Sequence, residues 1–344
     1  MADATAVVPK NGPAGKIILV VVVLLFGYFI VKSVGSGSAP TTPEGVIDRM
    51  ARSMSGVESA EFAGTLTANI EGGENPLASF PGASAADADK PVAFSLAFSG
   101  TSEFGDWKKM QSDTKFVLTS PEFANNGSAE IEFKNMGADR YFKFNTIPML
   151  GQLNLTSLTN MWVKLDAKKT TTTAVMVTSS TMSEETAENV RDIVSGGSYF
   201  QVTEDLGEVS LGGISARHYK VTLNEAEVMR VVRAVNTEVN GKAPSIEEEK
   251  KMTEFFARAE MTNGEIWVGT KDYYLYKTSF GVTLAATEAK PTSGTIAVEL
   301  ELRNFNEKVV VEAPAAPKTM NEFMASFVGA MLGGGALPSN LMMR

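Results

Sequence analysis

The sequence predicts an α+β fold, one curved antiparallel sheet against a few helices, preceded by a single N-terminal transmembrane helix. Three observations predict it. Apolar residues alternate with polar ones over many short runs, which is the period of strands with one wet face. Those runs follow one another with no helix between them, so parallel crossovers are not indicated. One run, Ile17 to Val31, carries no charge and is bounded by Lys16 and Lys32.

That run comes first in the chain. At 1.5 Å per residue it spans about 22 Å, against a hydrocarbon core of about 30 Å. Snorkelling of Lys16 and Lys32 and the apolar Val34 shorten the gap. A cleaved signal peptide has an apolar core of similar length, and Gly37 to Ala39 is small enough for cleavage. The core is long for a leader and no A-x-A stands near it, so the reading taken is a retained anchor. The acidic excess lies after the run, which leaves the short tail in the cytoplasm by the positive-inside rule. The expected organisation is a cytoplasmic tail (1–16), a transmembrane helix (17–34), a linker (35–42), an exported domain (43–312) and an apolar C-terminal helix and tail (313–344). The expected location is the cell membrane, single-pass, with the C-terminal domain outside the cytoplasm.

The first helix of the domain follows the linker. Thr42 can cap it, Pro43 suits its first position, and Val46, Ile47, Met50 and Met54 form its stripe. The period then changes to two through Ala60, Phe62, Leu66, Ala68 and Ile70. It resumes at Val92, Phe94, Leu96 and Phe98, at Phe116 to Leu118, at Ile131 and Phe133, at Phe142 and Phe144, and at Met161 to Leu165. Between the first two strands the Gly/Pro/Ala/Asp-rich stretch Gly72 to Pro91 reads as a long insertion or a functional loop. Lys168 to Thr181 reads as a connection.

Helices occupy the middle. Ser183 to Val194 is one. A strand pair, Tyr199 to Val202 and Ala216 to Leu223, leads to Asn224 and Glu227, a capping-box spacing for a helix striped by Val228, Val231, Val232, Val235 and Val239. Ser245 and Glu248 open another, striped by Met252, Phe255, Phe256 and Ala259. Strands return at Ile266 to Val268, after the Lys271-Asp272 turn at Tyr273 to Ala285, and at Ile296 to Leu302. Val309 to Val311 reads as a last edge. Thr319 and Glu322 start a Met/Phe-rich helix that ends at Gly333 to Gly335.

Composition excludes several classes of function. The chain of 344 residues has no Cys and one His, so thiol nucleophiles, disulfides and His or Cys metal clusters are absent. A net charge of −9 disfavours nucleic acid as a partner. No HExxH, GxSxG, phosphate loop or dinucleotide fingerprint occurs. His218 reads as an ordinary hydrogen-bonded histidine. Glu184-Glu185 and Glu247 to Glu249 read as helix-start carboxylates. The expectation is no enzyme and no cofactor.

Three stretches carry a resemblance. They are EFAGTLTANI after the first helix, ISARHYKVTLNEAEV in the middle, and the hairpin NGEIWVGTKDYYLYKTSFGVTL with Trp267, Tyr273 and Lys277. In this order they resemble the bacterial LolA/LppX-type superfamily of lipoprotein-carrier-like domains, over roughly 43–312. The resemblance implies a half-open β-barrel, a strongly bent sheet whose apolar concave face is partly covered by helices. It also implies a ligand, the acyl chains of a lipid or acylated protein.

The expected function is therefore a membrane-tethered, non-catalytic domain that binds a hydrophobic ligand, with the membrane met through Ile17 to Val31. The alternative is an envelope signalling or structural module that binds another envelope protein. The residues expected to line the cavity are Phe94, Phe98, Trp162, Trp267, Tyr274, Tyr276, Phe280, Phe323 and Phe327. Core packing competes with cavity lining for the hairpin rings. Docking onto the sheet competes with a partner-binding or plugging role for the C-terminal helix.

Overall fold

The computed structural model describes residues 40–71, 91–103, 109–121, 123, 127–147, 155–165, 184–195, 199–288 and 293–331. Helix α1 (Pro43–Met54) starts where the sequence places it. The Thr42 side chain accepts from Gly45 N at 3.1 Å, and Pro43 needs no partner at the first position. Val46, Ile47, Met50 and Met54 are all buried, so the stripe is the face that enters the core.

Twelve strands form one sheet among the described residues. They are β1 (Ser59–Glu71), β2 (Val92–Glu103), β3 (Gln111–Thr119), β4 (Ser128–Met136), β5 (Asp139–Thr146), β6 (Val163–Leu165), β7 (Phe200–Leu211), β8 (Ile214–Leu223), β9 (Ala259–Gly269), β10 (Leu275–Leu284), β11 (Ser293–Arg303) and β12 (Lys318–Thr319). Their order is β12-β6-β5-β4-β3-β2-β1-β11-β10-β9-β8-β7. Every pairing is antiparallel except that of β12 with β6.

The half-open barrel is corrected by this order. The sheet runs from one edge, β12, to the other, β7, and is neither closed nor strongly curled. The reason lies in the ladders. β1 pairs with β11 from Glu61↔Arg303 to Glu71↔Ser293 and with β2 from Ser59↔Glu103 to Ile70↔Val92, without a register shift. β2–β3 and β3–β4 are equally regular. Bulges, which bend strands and turn corners, fall only on the flanks, in β4–β5, β9–β10 and β7–β8.

Four further helices are α2 (Glu184–Ser195), α3 (Glu225–Asn240), α4 (Ile246–Phe256) and α5 (Met320–Met331). α1 lies against β7 and β9, α4 against β9, and α2 against α3. The face of the sheet that carries α1 is called the inner face. Its core gathers Met50 and Met54 with Leu66, Tyr219, Ile266, Val268, Phe280, Val298 and Leu300. Burial of such side chains is the main stabilising term, roughly 1.5–3 kcal/mol each.

The transmembrane expectation is also corrected. No helix of the described residues is long and apolar enough to cross a membrane, and 17–34 lie outside them. The longest, α3, has 16 residues and is amphipathic. The tether, the membrane contact through Ile17 to Val31 and the single-pass location rested on that helix, and no described residue supports them. The stretches 72–90 and 168–181, expected as loop and connection, lie outside the described residues too.

The chain after β11 crosses from one face to the other. Residues 304–317 run over the outer face, where Val309 and Val311 are buried. Val311 N donates to Gln111 Oε1 at 3.1 Å and Lys134 Nζ to the Glu312 carbonyl at 3.4 Å. Lys318 N then donates to the Trp162 carbonyl at 2.8 Å, β12 adds to β6, and α5 turns onto the inner face. The expected strand at Val309 to Val311 is thus a strap held by side chains and burial.

Candidate functional site

Register alone brings a set of phenylalanines into one row on the inner face. Alternation points Phe62, Phe98, Phe116, Phe133 and Phe142 to that side, and the ladders place them on neighbouring strands. Phe98 pairs with Phe116, and Phe133 with Phe142. Ring centroids are 6.4 Å apart for Phe62 and Phe98, 5.9 Å for Phe116 and Phe133, and 6.4 Å for Phe133 and Phe142. Phe144 meets Phe142 edge-on at 5.6 Å.

Gly64 makes the row possible at its β1 end. A Cβ there would stand 2.5 Å from the Phe98 ring, so only glycine lets that ring lie over the strand. The ends of the row are buried, Phe62 and Phe98 on one side at 8% and 7% exposure and Phe142 on the other at 8%. Phe116 and Phe133 between them are half-buried, as are Phe94, Leu96, Leu118 and Ile131 beside them. Polar neighbours are satisfied within the sheet. Asn135 Nδ2 donates to Ser112 Oγ at 2.6 Å, and the fully buried Ser120 hydroxyl donates to the Ala93 carbonyl at 2.9 Å. The middle of the row is therefore mainly apolar surface, with the Thr114 hydroxyl beside Phe133 on the paired strand.

At the β5 end the row meets α5. Phe323 stands edge-on to Phe142 at 5.5 Å and stacks on Phe144 at 6.3 Å. Phe327, one turn on, is half-buried.

The outer face has a different chemistry. Lys115–Glu130 (2.7 Å), Lys134–Asp113 (3.2 Å) and Lys143–Glu132 (3.0 Å) form cross-strand ion pairs over β3 to β5. The Lys115 hydrogen bond holds the Glu130 carboxyl below the usual carboxylate range. Burial pushes the Glu132 carboxyl up, but Asn145 and Lys143 bring it below that range as well. Two shallow hollows, of about 320 and 400 Å³, lie among the small residues of this face, including Thr65, Thr67, Ala97, Ser99, Ser279 and Ala297.

The residues expected to line one cavity are divided between these settings. Phe94 and Phe98 stand on the inner face of β2, and Phe323 joins the same face three strands away, at the β5 end of the row. Phe280 is in the helix-covered core. Tyr274 and Tyr276 pack on Phe305 at 4.7 and 5.2 Å near the start of β10. The Tyr276 hydroxyl donates to Asp272 Oδ2 at 2.6 Å, and burial with that carboxylate pushes its pKa up. Trp267 is on the outer face, stacked on His218 at 4.2 Å with the Lys277 ammonium 5.4 Å from its ring. His218 in turn bonds Glu265 Oε2 at 3.0 Å. Trp162 is also outside, with Lys143 at 4.9 Å and Lys134 at 5.4 Å from its ring. Such cation–π contacts explain both tryptophans on a wet face without a ligand.

Phe62, Phe116, Phe133, Phe142 and Phe144 are the members that sequence reasoning did not nominate. Their signal was present, since each stands on the apolar side of its strand. What joins them is pairing across strands, which alternation does not encode.

The described residues contain no group of three or more His, Asp or Glu placed to hold a metal. The carboxylates of the outer ladders each face a lysine, and no catalytic arrangement is present among the described residues.

No family model and no curated protein matches the sequence. Solved structures similar to the chain include two mycobacterial proteins. One is the Mycobacterium tuberculosis lipoprotein LppX, 14% identical, covering 78% of this chain and 97% of that one with a TM-score of 0.33. The other is LprF from Mycobacterium bovis, 11% identical, covering 81% and 100%, with a TM-score of 0.37.

Proposed function

We propose that this chain binds the acyl chains of a lipid or of an acylated protein along the phenylalanine row, without catalysis. The observation that carries the reading is the half-buried middle of that row, Phe116 and Phe133, flanked by Phe94, Leu96, Leu118 and Ile131. An apolar strip several strands wide favours hydrocarbon over water, and the side chains that form it, Phe94, Leu96, Phe116, Leu118, Ile131 and Phe133, carry no charge. Each methylene removed from water contributes about 0.8 kcal/mol, so a dozen offer roughly 10 kcal/mol before ordering costs.

Native mass spectrometry with palmitate tests the reading. The wild-type chain is expected to retain palmitate adducts. The variant Phe133→Asp, which puts a charge in the middle of the strip, is expected to lose them while its far-ultraviolet circular dichroism stays the same. A wild-type chain that carries no adduct, or an F133D chain that carries as much as wild type, ends the proposal.

A further inference from the structure

We infer that α5 is a displaceable plug, seated through Phe323 on the end of the phenylalanine row that the hydrocarbon of a ligand would otherwise occupy. The inference rests on the acyl-chain reading above and adds how access to that strip is controlled.

The way α5 is held is the main ground. Among its described residues none is buried. Met324 and Val328 stand 47% and 39% exposed, so the helix has apolar side chains on the side away from the sheet as well as toward it. It meets the row through one ring, Phe323, between Phe142 and Phe144, and otherwise packs on the short turn Thr156–Leu158 and on β6. Its root is the two-residue bridge of β12 to β6 and the cap in which Glu322 accepts from Thr319 N at 2.7 Å and Thr319 Oγ1 at 2.9 Å. A helix rooted at its first turn, with no buried residue among those described and one ring on the row, has only half-buried contacts to break and a hinge to turn on.

The place of the seat is the second ground. Phe142 is the last member of the row and one of its two buried ends, and the ring of Phe323 shields it. A chain laid along Phe116 and Phe133 toward β5 meets Phe323 directly. Ligand and Phe323 therefore compete for the same apolar surface, and the closed form lowers apparent affinity by the fraction of molecules in which α5 is lifted.

Two measurements test this. In the first, palmitate binding is compared between wild type and Phe323→Ala. The plug predicts binding about fivefold tighter in the variant, because the closed form loses its seat. Equal or weaker binding makes Phe323 an ordinary wall residue and overturns the plug while leaving the acyl-chain reading in place. If neither protein binds palmitate, the acyl-chain reading fails and the plug fails with it. In the second, spin labels are placed at the exposed positions of Ala325→Cys on α5 and Thr119→Cys on β3, in a chain with no other cysteine. The distance between labels is expected to lengthen when palmitate is added. An unchanged distance in a protein that binds palmitate overturns the plug.

Discussion

Gly100 shows how closely single positions in the central ladder are determined. A Cβ on it would lie 2.1 Å from the Asp113 carbonyl oxygen and 2.9 Å from the Thr114 Cα, both backbone atoms of β3. A backbone neighbour moves only if the pairing moves, so Gly100→Ala is expected to destabilise the protein by about 1–3 kcal/mol. Urea unfolding measures it, and Gly329→Ala is the control. At Gly329 the added methyl meets nothing within 4 Å, and alanine favours a helix, so stability there is expected to hold or rise by up to about 1 kcal/mol. Equal losses at the two sites would show that the close approach at Gly100 does not matter.

At the scale of elements, the contrast is between α1 and β7. α1 was legible because its start depends on neighbours in sequence, Thr42 and Pro43, and its face on spacing. β7 was legible only at its first residues. Its remainder, TEDLGEVSL, is polar on both sides because β7 is an edge, and a strand with little buried surface shows no alternation. The chain manages that edge by other means. Register shifts fall between Val202 and Glu204 and between Asp205 and Gly207. Gly207 has a φ of +88°, and the Asp205 carboxylate accepts from Gly207 N at 2.9 Å. Glu204, Asp205 and Glu208 would also meet their own counterparts if two copies paired along this edge. The double variant Asp205→Val, Glu208→Val is accordingly expected to associate as concentration rises, while wild type does not. Sedimentation velocity decides between them, and a variant that sediments like wild type would count against a protective role for these charges.

For the whole molecule, several carboxyls draw stability from cationic neighbours. The Arg303 hydrogen bond, with Asn304 and the Arg303 charge, holds the Glu61 carboxyl below its ordinary value, and Lys115 does the same for Glu130. A carboxyl lowered on folding contributes stability that is complete above its unfolded pKa and is lost as pH falls through the folded value. The denaturation midpoint is therefore expected to be level above about pH 5 and to fall below it, with a shallower fall in Glu61→Gln, Glu130→Gln. Midpoints at neutral and acid pH give the slope, and identical slopes in the two proteins would remove these groups from the account. The global shape was the least legible part. Strand faces and most strand positions could be read from period and turn residues, but curvature depends on where bulges fall, and no periodic pattern reports a bulge. The same limit divided the nominated rings. Trp162 and Trp267 look like core residues in a list of aromatics, whereas parity along the strand puts them outside, each beneath a lysine.

The path of the C-terminal chain has a mechanical consequence. One unbroken stretch is fastened above Gln111, passes the β6 margin and sets Phe323 on the row, so the two faces are tied together around the rim by a single length of backbone. The bond from Lys318 N to the Trp162 carbonyl stands midway along that path, so the backbone that carries the outer indole also carries the root of the helix that ends at the phenylalanines.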